Sequence, residues 1–154
     1  MKVFSKCLLG MSVILASLAF GGEGTLPFGK GQVPFSMIGK ADDGGRANSM
    51  RLSFEPKRLR TGSAAEAQAN CPSGMRAYNF GGKVSLNGLS YSVTAICASG
   101  QNSGSRMIAG QSGSSKITLD GYLSRDSDGV QTFTGTAKVK RSNQTRRYNF
   151  TLSE

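Results

Sequence analysis

The chain has 154 residues, a net charge of +10 and 21 glycines, and it contains neither histidine nor tryptophan. That length suits a single domain. Without histidine there can be no Ser-His-Asp triad, Cys-His nucleophile pair or His-ligated zinc or haem, and the excess of 19 Lys and Arg over 9 Asp and Glu points to anionic partners.

Lys2 and Lys6 precede an uncharged apolar run over residues 7–20, and small residues follow at Gly21 and Gly22. A basic start, an apolar stretch and a small-residue end make the pattern of a secretory signal peptide, expected over residues 1–21. The run is shorter than the about 20 apolar residues a spanning helix needs, so no membrane span is expected in the mature chain. Cleavage after Ala19 or Gly21 would leave a secreted or periplasmic chain with two cysteines, Cys71 and Cys97. One disulfide between them is the simplest expectation in an oxidising compartment.

Residues 22–46 read as a Gly/Pro-rich N-terminal segment. Within it, Leu26-Pro27-Phe28 is echoed by Val33-Pro34-Phe35. The plain reading is a loose segment draped over the domain. The sharper one is a pair of hooks that insert Phe28 and Phe35 into a groove on the chain itself or on a partner.

Residues 47–154 read as an antiparallel β domain. Met50, Leu52 and Phe54 alternate with Ser49, Arg51 and Ser53, which is the period of a half-buried strand, and Pro56 ends it. Ser63 and Glu66 have capping-box spacing ahead of alanines, predicting a short helix over 64–69 that Cys71-Pro72 stops. Asn87-Gly88 fits a type I′ hairpin turn, pairing Leu86 with Leu89 and Val84 with Tyr91. Alternation then places Tyr91, Val93, Ala95 and Cys97 on the inward face. A short strand is expected over 106–109. Longer ones carry Ile117, Leu119 and Leu123, then Phe133, Ala137 and Val139, and finally Tyr148, Phe150 and Leu152. The fold class expected is all-β: a small antiparallel barrel or sandwich of seven to eight strands, with one short helix and one disulfide.

The polar chemistry is sparse. A carboxylate pair drawn from Glu55, Asp120, Asp126 and Asp128 could hydrolyse a glycoside without histidine. Asp126-Ser127-Asp128-Gly129 begins like a calcium loop, but no acid follows over residues 130–138, so it reads as a turn. No metal site and no cofactor are expected. The basic residues are the most informative group: Lys57, Arg58 and Arg60 form one cluster, and Lys138, Lys140, Arg141, Arg146 and Arg147 another. The function expected is a non-catalytic, exported binding protein whose basic surface engages lipopolysaccharide, an acidic polymer or an acidic protein. Nucleic acid is a weaker candidate, because no recognition motif accompanies the aromatics. The alternatives are a small hydrolase and a lipocalin-like carrier of an apolar ligand.

Overall fold

The computed structural model describes Phe28, residues 35–59 and residues 63–154. The expected signal peptide, Arg60 and most of the Gly/Pro-rich segment lie outside the described residues. Nine strands and one helix follow in chain order: β1 (Phe35–Asp42), β2 (Ala47–Glu55), α1 (Ala64–Ala69), β3 (Arg76–Tyr78), β4 (Gly81–Leu86), β5 (Leu89–Ala98), β6 (Gly104–Ser112), β7 (Ser115–Arg125), β8 (Gln131–Arg141) and β9 (Gln144–Ser153). Every pairing is antiparallel, and β5 closes on β6. The result is a closed barrel of eight strands, with β3 added outside it along β5. An eight-stranded barrel is just wide enough for side chains to fill. Here Met37, Leu52, Val84, Ile108, Leu119, Phe133 and Phe150 fill it, all but shut off from solvent.

Local sequence signals account for much of this. Asn87 and Gly88 both have positive φ, and Leu86 pairs with Leu89 across them. Ser63 accepts from the Glu66 N–H while Glu66 accepts from the Ser63 N–H at 2.7 Å, a complete capping box on α1. The helix buries no residue of its own. Gln68 fastens it to β3 by donating to the Met75 carbonyl at 2.7 Å and accepting from the Ala77 N–H at 3.0 Å.

Two expectations are corrected. The β domain begins at Phe35 and not at Ala47, because β1 is a full barrel strand between β2 and β9. Phe35, Met37, Gly39 and Ala41 face inward, but the signal is blurred by Gly39 on the inner face and by Ile38, 58% exposed, on the outer. The second correction concerns Cys97. The register of β5 against β6 slips between Val93 and Ala95, a β-bulge at Thr94. One extra residue reverses the faces beyond it. Ile96 and Ala98 therefore enter the barrel, and Ala95 and Cys97 turn outward.

Cys97 is nonetheless fully buried, because the segment carrying α1 and β3 covers it, and its disulfide to Cys71 ties that segment to β5. The bridge spans 26 residues of chain. In the chain-entropy account, closing a loop of that length stabilises the fold by about 3.5 kcal/mol. Reduction is expected to lower the urea unfolding free energy by about that amount. Because the bridge lies outside the lumen, hydrogen exchange should accelerate first over residues 63–78, with β7 to β9 still protected. Loss of protection across all strands at once would contradict this placement.

The curl of the barrel depends on glycines. Gly121 and Gly135 face each other across β7 and β8. A Cβ on Gly135 would run into the Asp120 carbonyl oxygen, and one on Gly121 into the Thr134 carbonyl oxygen. Gly39 is held in the same way against the Thr151 carbonyl of β9. Glycine is used here for close backbone approach, as at barrel corners.

Candidate functional site

The two ends of the barrel differ because of how the strands are connected. One end carries the short turns between β1 and β2, β4 and β5, β6 and β7, and β8 and β9. The other carries the α1–β3 excursion, the links at 99–103 and 126–130, the start of β1 and the end of β9.

That second end is plugged. Phe28 is fully buried there, with ring centroids 5.1 Å from Phe54 and 5.7 Å from both Phe35 and Phe133. Phe28 thus enters the core of its own chain, as the hook reading expects, whereas Phe35 lies there as the first residue of barrel strand β1. The Arg106 guanidinium lies 5.8 Å from the Phe28 ring centroid and donates to the carbonyls of Ser99 at 2.7 Å and of Gln101 and Ser105 at 3.0 Å. Those bonds satisfy a buried charge and pin the 99–103 link. Burial pulls the Arg106 pKa below its ordinary value, against the opposing effect of Tyr78 and Tyr122.

The turn end is open. A pocket of about 300 Å³ occupies the mouth. Its floor is Leu86, Tyr91 and Ser115, all buried, with the Tyr91 and Ser115 hydroxyls 3.4 Å apart. Val139 and Tyr148 form a wall, and Asn87, Leu89, Arg141, Gln144 and Arg146 complete the lining.

The basic residues singled out in the sequence do not form one patch. Lys57 and Arg58 follow β2 at the plugged end, a barrel length from the β8–β9 hairpin, and Arg60 lies outside the described residues. The hairpin set is itself divided by strand alternation. Arg141 and Arg146 share the face of Val139 and Tyr148 and line the mouth. Lys138, Lys140 and Arg147 take the outer face, where Lys138 pairs with Arg147. One member was missed in the sequence: Lys116 of β7, directly opposite Lys140. Its alternation with Ile117 marks it as outward-facing, but only the pairing of β7 with β8 brings it to the hairpin. The outer patch is then Lys116, Lys138, Lys140 and Arg147, all exposed. Among the described residues none of the four pairs with a carboxylate, whereas Lys83 and Glu55 form an exposed ion pair at 3.5 Å.

The acids are scattered. Asp120 faces outward on β7. Asp126 accepts from the N–H groups of Asp128 at 3.0 Å and Val130 at 2.8 Å, so its carboxylate shapes the 126–130 turn. Glu55 is engaged by Lys83. Neither the mouth nor the shallow concavity on the outer wall near Gly135 is lined by two carboxylates. Among the described residues no cluster of three or more His, Cys, Asp or Glu could hold a metal ion, and no helix is long and apolar enough to cross a membrane. No protein-family model, no curated protein and no solved structure matches this chain.

Proposed function

We propose that this chain is an exported, non-catalytic binding protein whose basic outer face engages an anionic partner such as lipopolysaccharide, an acidic polymer or an acidic protein. The observation that carries this reading is the convergence of Lys116, Lys138, Lys140 and Arg147 on three adjacent strands, where none of them forms an ion pair with a carboxylate among the described residues. Like charges held side by side on a rigid sheet repel one another, and an anion relieves that repulsion. Such a patch also concentrates anions near the surface and speeds their capture. The Cys71–Cys97 bridge favours an oxidising compartment, in keeping with the expected export signal. The dispersed carboxylates speak against the hydrolase alternative, and the filled lumen against a deep carrier cavity.

Retention on immobilised lipopolysaccharide and heparin across a salt series tests the proposal. Lys138→Gln/Lys140→Gln should reduce the slope of log affinity against log salt by about two, one for each lost contact. Lys57→Gln/Arg58→Gln, at the far end, should leave the slope nearly unchanged. Equal losses from both pairs, or retention no stronger than that of an unrelated protein of equal charge, would reduce the patch to a general charge effect.

A further inference from the structure

We propose that the mouth of the barrel is a binding site for a small amphiphilic anion: a carboxylate carrying an apolar tail of about ten carbons, a size suited to a pocket at the small end of the ligand-binding range. The inference goes beyond the outer patch and stands on different residues. Three observations converge on it. First, the pocket of about 300 Å³ is lined by apolar Leu86, Leu89, Val139 and Tyr148 together with Arg141 and Arg146, Arg146 lying directly across from Val139 on the same hairpin face. Apolar side chains beside two cations match the two halves of an amphiphile. Second, the cations here are both arginines, whereas three of the four outside are not. Arg141 pairs with Gln144 and Arg146 with Val139, so the two arginines are diagonal neighbours on one face of the hairpin. Diagonal neighbours lie about 7–8 Å apart, which lets long side chains converge on one carboxylate. The planar guanidinium matches a carboxylate with two parallel hydrogen bonds, as an ammonium does not. Third, Leu89 is 43% exposed at the rim, an apolar residue left uncovered where a tail would lie.

The floor sets the length of the ligand. Below Tyr91 and Ser115 the lumen is occupied by buried Val84, Ile117, Leu119 and Ala137. A tail therefore lies in the mouth and does not thread the barrel.

The test is calorimetric titration of the full mature protein with octanoate, decanoate, dodecanoate and hexadecanoate, each below its critical micelle concentration, with decanol as the uncharged control. Decanoate should bind at one site per chain and about tenfold more tightly than decanol. Arg141→Gln/Arg146→Gln should abolish that preference without lowering Tm, since both side chains are exposed. Lys138→Gln/Lys140→Gln should change decanoate affinity by less than about twofold, so failure of the outer-patch proposal would not disturb this result. Affinity should rise from octanoate to decanoate and then level off. A lumen able to accept the chain would instead gain about fourfold per added CH₂, the equivalent of 0.8 kcal/mol. Continued gain to hexadecanoate, equal binding of decanol, unchanged affinity in the arginine variant, or no saturation by decanoate would each overturn the proposal.

Discussion

Gly135→Val is expected to give a chain that either fails to fold or melts at least about 10 °C below the parent. The reason is backbone against backbone. The absent Cβ of Gly135 points at the Asp120 carbonyl oxygen and would come within 2.5 Å of the Gly121 Cα. Neither can move aside as a flexible side chain would, because both belong to the continuous β7–β8 ladder. Overpacking in an adaptable core costs about 1–3 kcal/mol. A clash with rigid ladder atoms, enlarged by β-branching, should exceed that range. For a domain of this size each 1 kcal/mol shifts Tm by roughly 3–6 °C. The space left by the glycines is used by rings: a Cβ on Gly121 would lie 2.8 Å from the Phe133 ring, which itself packs edge-on against Phe150 at 4.9 Å. Thermal unfolding followed by near-UV circular dichroism would read the effect. A Tm within 3 °C of the parent would show that the curl of the barrel does not depend on this contact.

Phe28→Ala should cost about 3–5 kcal/mol, the range for removing a fully buried aromatic side chain. The ring touches Phe35, Phe54 and Phe133, so truncation opens a cavity bounded by three rings that cannot all collapse into it. It also removes the aromatic face beneath Arg106, worth about 1–2 kcal/mol for a desolvated cation. The measurement is the urea midpoint of Phe28→Ala, compared with Phe28→Leu as a partial filler. A draped, loosely held segment would give less than about 0.5 kcal/mol for either change.

The contrast between these positions explains which parts of the fold were legible in the sequence. Asn87-Gly88 and the Ser63–Glu66 capping box depend on residues two to four apart, so the chain announces them locally. The alternation of Ile117 and Leu119, or of Phe150 and Leu152, likewise needs no partner to be read. The bulge at Thr94 is a mismatch in pairing with β6, and its one mark in β5 is Ile96, an apolar residue where the alternation of Ser90, Ser92 and Thr94 calls for a polar one. β1 was missed because its inner face includes Gly39, whose role is to let β9 approach, and that role requires β9. The basic cluster was legible in part. Alternation along β8 already sets Lys138 and Lys140 on the face opposite Val139 and Arg141. What it could not give is Lys116, which only the pairing of β7 with β8 brings beside them.

The start of β1 and the end of β9 both sit at the plugged end, with the Glu154 N–H bonded to the Gln131 carbonyl at 3.2 Å. The end of the chain at Glu154 therefore lies a full strand length from the open mouth. A tag, tether or fused domain placed after Glu154 leaves the mouth projecting away from the support. Sensor surfaces that capture the protein through a C-terminal tag will thus display Arg141, Arg146 and the neighbouring lysines to the solution. Coupling through lysine amines would instead consume Lys138 and Lys140, which stand on that exposed rim.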